Sequence, residues 1–281
     1  MLLRRTLILP ALAVAALATS ATAAEPIADG AVTLDPNVAG RPTALVVDVD
    51  PRTTGSSGNE LPQSLAIAFQ RGFTFDARAK LGRCTEQQAQ DVACPDDSQI
   101  GSGEARGTAQ TVVGPMAFTA TIEVFLANPR NGGDIADVIL ELREPQSNTS
   151  ASARGRFTPF ATGDFAGELR FNVGQQGSSM PAGVTSIEVE RLKLRTEAKR
   201  TVMFKVKKTV RKRIPGAKCT VKSRRRGKPR TFTCTVTRTR TLSLITNPIT
   251  CTGEYLIRLS ARYSDGRNVE RDATPACTPR S

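Results

Sequence analysis

The feature that most constrains this chain is a two-residue alternation of apolar and polar side chains, which recurs in short runs along most of its length. Successive side chains of a β-strand point to opposite faces, so this period predicts half-buried strands. In 116–127 the apolar positions of one face are Phe118, Ala120, Ile122, Val124 and Leu126. Gly, Pro, Asn and Asp separate the runs, and no long segment has a helical period. The pattern predicts an all-β fold, an antiparallel, jelly-roll-like β-sandwich.

Three local patterns refine this prediction. Residues 85–93 can form one or two helical turns, with Thr85 as the N-cap. In 187–194 the alternation changes phase, which predicts a β-bulge. The C-terminal region predicts a hairpin centred on Asp265-Gly266, and one of its faces is apolar: Tyr255, Ile257, Leu259, Ala261 and Tyr263.

The N-terminus has the layout of a secretory signal peptide. Two arginines precede an apolar run at 7–18, and small residues follow up to Ala24. A spanning helix needs about 20 apolar residues, so the shorter run favours cleavage over anchoring. We expect a signal peptide at 1–24, a loose segment at 25–42 and a β-sandwich domain at 43–281, with no later membrane span. The mature protein is expected to be secreted or associated with the cell envelope.

Cysteine usage agrees with export, because disulfides persist in oxidising compartments. Six cysteines allow 15 pairings, and proximity in sequence favours one of them: Cys84 with Cys94, Cys219 with Cys234, and Cys251 with Cys277. The chain has no histidine, which removes the commonest general base and the Ser-His-Asp and Cys-His mechanisms. The wide cysteine spacing does not favour a metal site. No phosphate-loop or dinucleotide motif is present, so no cofactor is expected.

Positive charge is concentrated in one segment. Between Arg191 and Arg240 there are 20 Lys and Arg residues and a single acid, Glu197, a net of +19 that leaves −6 for the remainder of a chain whose total is +13. Such asymmetry predicts a basic face on a mildly acidic body. The candidate anion-binding residues are Lys205, Lys207, Arg211, Arg213, Lys222, Arg224, Arg225, Arg226, Lys228 and Arg230.

The basic segment predicts a protruding hairpin insertion at 201–241. Runs at 201–214, 218–223 and 231–245, separated by Pro215-Gly216 and by RRRGKP, predict a three-stranded meander. A turn centred between Arg226 and Gly227 places Cys219 opposite Cys234. The third run has threonine at every second position from 231 to 241, which predicts a solvent-facing strand face. We expect the basic hairpin to leave the core of the main body near Val236 and to rejoin it at Leu242.

We interpret the basic hairpin as a surface for an anionic cell-envelope polymer or polysaccharide, or for an anionic surface. Nucleic acid is not favoured, because the aromatic residues Phe204 and Phe232 both fall on the face predicted to point inward. The alternative is a solvated hairpin whose Lys and Arg keep its edges from pairing with other chains. The oligomeric state stays open.

Catalysis by carboxylates is the alternative to a non-catalytic protein. A glycosidase needs two acids and no histidine, and the candidates are Glu141, Glu144, Glu188 and Glu190. All four fall on or beside alternating strands, where a solvated face explains them. Asp134 and Asp137, in NGGDIAD, suggest a calcium loop, although calcium requires more oxygen ligands than this cluster offers. We therefore expect no enzymatic activity.

Two segments, ACPDDSQIGSGEARGTA (93–109) and TNPITCTGEYLIRLSARYSDGRNVERDATPAC (246–277), resemble parts of functionally uncharacterised exported proteins of high-GC soil actinobacteria. The resemblance covers the signal, the Cys-Pro to Ile-Gly-Ser-Gly element and the closing hairpin. It implies an exported all-β protein and carries no catalytic residue.

Overall fold

The computed structural model describes residues 29–50, 62–145, 149–172, 184–223, 231–263 and 266–280. The predicted signal peptide at 1–24 lies outside them. The described residues form one short α-helix, α1 (Glu86–Gln90), and two single 3-10 turns, Ala77–Ala79 and Asp96–Ser98. The strands are β1 (Asp29–Asp35), β2 (Pro42–Asp50), β3 (Ser64–Gln70), β4 (Thr74–Phe75), β5 (Gln99–Thr111), β6 (Gly114–Ala127), β7 (Ala136–Glu144), β8 (Thr149–Pro159), β9 (Phe165–Asn172), β10 (Val184–Thr196), β11 (Lys199–Val210), β12 (Lys218–Ser223), β13 (Thr231–Ser243), β14 (Ile245–Thr246), β15 (Ile257–Arg262) and β16 (Asn268–Ala273).

Thirteen strands form one antiparallel sheet, here called the main sheet. Its order is β16-β15-β3-β9-β8-β7-β6-β5-β10-β2-β14-β4, with β1 added to β2. Strands β5 to β9 therefore pair as consecutive neighbours. The remaining three strands, β11, β12 and β13, form a second sheet, here called the basic sheet.

The main sheet folds over on itself around a large apolar core. Phe75 of β4, at one end of the strand order, has its ring centroid 5.2 Å from that of Phe69 in β3 and 4.3 Å from that of Phe157 in β8. Strands so far apart in the order can meet only if two parts of the sheet face each other. The core also includes Leu45 and Leu194. The prediction of an all-β, antiparallel, sandwich-like fold is confirmed.

The alternating patterns form the strands expected of them. In β6 the predicted inward residues are buried or half-buried, and the apolar face of the C-terminal hairpin is buried from Tyr255 to Tyr263. Strand β15 pairs with β16 from Ile257↔Ala273 to Arg262↔Asn268. The predicted bulge is present, because the pairing of β10 with β5 shifts between Val189 and Arg191.

The loop closed by the Cys84–Cys94 disulfide covers the outer side of β6 and β7. Thr85 caps α1 through a capping box with Gln88, as its position before the helical turns predicted. Ala89 and the disulfide form a small second core with Phe125, Ala127 and Ile139. The disulfide thus fastens a helical loop over an apolar patch that water would otherwise reach.

One domain expectation is wrong. Within 25–42, predicted to be loose, β1 pairs with β2 from Asp29↔Asp50 to Asp35↔Ala44. Val32 and Leu34 alternate with exposed neighbours and bury their side chains in the main core. The alternation is short, but two apolar side chains at the right spacing are enough to add an edge strand to β2.

Within the described residues, the basic sheet joins the main body at one end. Residues 197–198 lead from β10 into β11, and Leu244 follows β13. The Leu244 amide donates to the Ala198 carbonyl at 2.9 Å, which ties the two connections together. Leu242 belongs to the main core, and Val202 packs against it. Leu242 is thus the point where the chain rejoins the core, as expected, and the rest of the basic sheet extends from this base.

Candidate functional site

The register of the basic sheet is set by a disulfide. Strand β12 pairs with β13 through Lys218↔Thr235, Cys219↔Cys234 and Val221↔Phe232, the register that the sequence predicted. Cys219 and Cys234 are disulfide-bonded, with Cα atoms 4.0 Å apart. Cys84 with Cys94 and Cys251 with Cys277 also pair as proximity in sequence favoured. The turn between β12 and β13 lies outside the described residues.

The order of the basic sheet differs from the predicted meander. Strand β13 lies in the centre, between β11 and β12. The predicted turn at Pro215-Gly216 is present, with the Ala217 amide donating to the Ile214 carbonyl and Gly216 at φ 73°. It belongs to a crossover at 211–217 rather than to a hairpin. Because like charges on adjacent strands repel, a central threonine strand between two lysine-rich strands is the more favourable order.

The two faces of the basic sheet have different chemistry. One, here called the Lys/Thr face, is almost wholly polar, and β13 lies between the other two strands. Its members are Lys199, Thr201, Met203, Lys205, Lys207 and Thr209 of β11, Lys218 and Thr220 of β12, and the odd-numbered residues from Thr231 to Ser243 of β13. The other, here called the apolar face, carries Val202, Phe204, Val206, Val210, Val221, Phe232 and Val236, with Arg200, Lys208, Arg238 and Arg240.

The apolar face is only partly covered. Arg213 of the crossover stacks over Phe232, with its guanidinium carbon 5.3 Å from the ring centroid. Val236 is half-buried within the sheet and is not part of the main core. Phe204, which the alternation placed inward, is 40% exposed. That expectation is wrong because the main body reaches this face only at its base.

Most of the positive charge of the basic sheet is not neutralised locally, although Arg240 interacts electrostatically with Asp76 of the main body. No Asp or Glu occurs between Ala198 and Gly253. In the described parts of the sheet, 199–223 and 231–243, there are twelve Lys and Arg residues. Of these twelve, only Lys199 forms an ion pair with a described carboxylate, that of Glu197. A cluster of cations without counterions creates a strong positive potential at this end of the molecule.

The preceding basic residues have a different environment. Arg191 of β10 donates from Nε to Asp48 Oδ1 at 2.7 Å, and this hydrogen bond holds the pKa of the Asp48 carboxyl below its ordinary value. Arg195 lies 3.0 Å from Asp35 and 3.1 Å from Glu197. The basic segment seen in the sequence thus divides into a paired part on the main sheet and an unpaired part on the basic sheet.

The predicted anion-binding residues fall into three groups. Lys205 and Lys207 are exposed on the Lys/Thr face, and Lys222 is exposed on β12. Arg211 and Arg213 lie in the crossover. The others lie outside the described residues: Arg224, Arg225, Arg226, Lys228 and Arg230. Sequence reasoning missed Lys218, although the register that pairs Cys219 with Cys234 also places Lys218 opposite Thr235.

Two of the four carboxylates considered for catalysis contact described protein donors. Glu141 is fully buried, and its two oxygens accept from the Cys94 amide at 2.8 Å and from Arg143 Nη2 at 3.1 Å. Glu190 accepts from the Thr108 hydroxyl at 3.1 Å. Glu144 ends β7, half-buried, and the side chain of Glu188 lies outside the described residues.

The two aspartates considered for calcium also have protein partners. Asp137 is buried against Arg154, whose Nε lies 2.7 Å from Asp137 Oδ2. Asp134 accepts from the Thr158 hydroxyl at 2.7 Å and from Asn131 at 3.1 Å. Glu141 also lies beside Cys84 and Cys94, a grouping of metal-ligand type. Both sulfurs are in a disulfide, and the carboxylate serves as a hydrogen-bond acceptor.

Among the described residues, one apolar cavity offers little room for a ligand. A cavity of about 20 Å³ lies among apolar side chains that include Phe69, Phe157 and Phe171. That volume is close to the minimum that a single water requires.

Among the described residues, no helix is long and apolar enough to cross a membrane. Comparison of the chain with protein-family models, with curated proteins and with solved structures finds no match.

Proposed function

We propose that this chain is an exported, non-catalytic β-sandwich protein that binds an anionic polymer or surface outside the cytoplasm through its basic sheet. The observation that carries the proposal is the cluster of cations at one end of the molecule, with no acid between Ala198 and Gly253 and a single described ion pair. A cell-envelope polymer or a polysaccharide is a ligand of the required charge.

Export is supported by two independent features. The N-terminal 24 residues have the composition of a signal peptide. Three disulfides are typical of proteins from oxidising compartments. The resemblance to exported actinobacterial proteins agrees with both.

The physical basis of binding is Coulomb attraction with release of counterions. Each anionic group neutralised by a Lys or Arg frees condensed cations, so affinity for a polyanion falls steeply with salt. The effect acts over about one Debye length, roughly 10 Å at 0.1 M salt. Within the basic sheet itself there is no acid to oppose this attraction.

Cation-exchange and heparin chromatography of two variants of equal charge test the proposal. One variant removes five basic-sheet lysines: Lys205, Lys207, Lys208, Lys212 and Lys222, each to Gln. The other removes five exposed cations of the main body: Arg41, Arg156, Lys193, Arg262 and Arg280, each to Gln. We expect late elution of the unmodified protein from heparin, a large shift for the first variant and a small one for the second.

Two outcomes contradict the proposal. One is elution of the unmodified protein no later than a size-matched protein of ordinary charge. The other is an equal shift in both variants, which would show that net charge rather than the basic sheet decides retention. No contact among the described carboxylates favours the hydrolase alternative, and we do not propose it.

A further inference from the structure

The two faces of the basic sheet are not equally suited to an anionic ligand. On the Lys/Thr face, Lys207 and Lys218 lie opposite Thr235 on its two sides, and Lys205 lies opposite Thr237. Adjacent strands are about 4.8 Å apart, so the two lysine strands are separated by roughly 9.6 Å. Threonine is shorter than lysine. The face therefore forms a shallow channel along β13, with hydroxyls at its base and ammonium groups at its sides.

The groups that line this channel are free to bind. Lys205, Lys207 and Lys218 are exposed and form no ion pair with any carboxylate that the structure describes. The hydroxyls of Thr235 and Thr237 donate to no described acceptor. Along β13, residues of the same face recur about every 6.7 Å. A ligand lying along the strand would meet a new threonine at each interval, with a lysine beside the threonines at 235 and 237.

The cations of this face are all lysines, whereas the arginines of the strands lie on the apolar face. Arginine presents a planar fork that matches a planar carboxylate, while lysine is a point charge that suits tetrahedral oxyanions such as phosphate. In the row formed by Lys207, Thr235 and Lys218, three residues with donor side chains lie side by side on three adjacent strands. A tetrahedral oxyanion can accept from all three.

The face also lacks the groups that other anionic ligands require. It carries no aromatic side chain on which a base could stack. Met203 is its only large apolar residue among the described positions. A bilayer surface would gain little apolar contact here, whereas an extended chain fits the channel.

We propose that the Lys/Thr face is the binding face, and that its ligand is an extended polymer other than nucleic acid that carries phosphate or sulfate groups, held along β13 between the lysines of β11 and β12. The proposal rests on the proposed function, because it assigns the face and the ligand class for the same sheet.

Direct binding measurements with the full exported chain, disulfides intact, test this assignment. The probes are polyphosphate, dextran sulfate, polyglutamate, single-stranded DNA and vesicles containing phosphatidylglycerol. One variant changes the Lys/Thr face: Lys205, Lys207 and Lys218, each to Gln. The matched control removes the same charge elsewhere: Lys208 and Arg238 of the apolar face and Lys212 of the crossover, each to Gln.

We expect the Lys/Thr-face variant to lose at least about tenfold in affinity for polyphosphate or dextran sulfate, and its salt slope to fall by about 3. The control should lose much less. Thr235→Val removes one hydroxyl at constant shape and should weaken binding by about threefold. The affinities for polyphosphate and for dextran sulfate show whether the face prefers phosphate or sulfate. Polyglutamate should bind more weakly than either.

The outcomes separate this inference from the proposed function. If the protein binds no polyanion and no vesicle, both fail. If it binds and the two triple variants lose affinity equally, or the control loses more, the face assignment is wrong and the proposed function stands. Preference for polyglutamate, for DNA or for vesicles over both polyphosphate and dextran sulfate overturns the ligand class alone.

Discussion

The main sheet and the basic sheet use charged side chains in opposite ways. In the main sheet, cations pair with acids on the same or a neighbouring strand. Arg258 lies 2.7 Å from Asp272, Arg170 lies 2.6 Å from Glu168, and Arg154 joins β8 to the buried Asp137 of β7. In the basic sheet the described cations lack such partners, apart from Lys199 at its base. Charge therefore stabilises strand pairing in the main body and remains available to outside anions in the basic sheet.

The difference also appears in burial. Arg154 is only 12% exposed and also contacts Glu86, the first residue of α1, so it links the disulfide-closed loop to the sheet beneath. Lys205, Lys207 and Arg238 of the basic sheet are exposed. Removing a charge should therefore have very different consequences in the two regions.

The largest expected effect comes from the buried ion pair. Arg154→Ala leaves Asp137 buried without its charge partner, and we expect a loss of about 3–5 kcal/mol in the free energy of unfolding. Arg238→Ala, at an exposed position of the basic sheet, should change it by less than about 0.5 kcal/mol. Denaturant titrations followed by circular dichroism measure both. Similar losses in the free energy of unfolding of the two variants would contradict the difference between the main sheet and the basic sheet.

The next largest effect concerns the disulfide of the basic sheet. Replacing Cys219 and Cys234 with Ala removes a cross-link that closes 15 residues of chain, which is worth about 3 kcal/mol. Because β12 pairs only with β13, we expect the loss to be local. Hydrogen exchange of the β12 amides should speed up by about 100-fold, while the protection of β6 and β7 stays nearly constant.

The matched change in the main body is replacement of Cys251 and Cys277 with Ala. It should instead speed exchange in the C-terminal region and leave β12 unchanged. If loss of the Cys219–Cys234 disulfide lowers protection in β6 and β7 as much as in β12, the basic sheet and the main body unfold as one unit.

The smallest effect is the response to acid. The hydrogen bond from Arg258 lowers the pKa of Asp272, as that from Arg191 lowers the pKa of Asp48. A carboxyl whose pKa is lower in the folded state stabilises the fold above its unfolded pKa, near 4, and this contribution is lost as pH falls through the folded value. Each such exposed pair contributes about 0.2–1 kcal/mol. Thermal melts should therefore show a Tm that falls from pH 5 to pH 2.

Binding should respond differently in the same pH range. The basic sheet contains no carboxylate of its own, and sulfate esters stay ionised, so retention of dextran sulfate should persist at pH 3 while the protein remains folded. Equilibrium binding at pH 7 and pH 3 measures this. Loss of binding at pH 3 without unfolding would mean that a carboxylate takes part in the binding surface.

Local pattern predicted much of this fold. Alternation identified strands such as β6 and β15, the phase change at 187–194 identified a bulge, and pairing by proximity identified all three disulfides. Each of these features depends on residues close together in sequence. The hairpin register of β12 and β13 follows from the same locality.

The order of the basic sheet could not be predicted in this way. Whether β11 pairs with β12 or with β13 depends on repulsion between lysine strands and on a crossover at 211–217, and neither leaves a local signal. The prediction that Phe204 is buried was wrong for a similar reason. Alternation shows which residues share a face, but it does not show whether another part of the fold covers that face. The channel at Thr235 required three strands in register, which no single strand reveals.

The central position of β13 makes the basic sheet depend on a single strand. Strands β11 and β12 precede β13 in the chain and do not pair with each other, so the native pairing of either one requires β13. The same stretch continues through Leu242 and Leu244 into β14, which pairs with β2 and β4. This one segment therefore completes the basic sheet and also supplies the strand that joins β2 to β4 in the main sheet. A chain that ended before Thr231 would leave its cation-rich strands unpaired and its body unfinished.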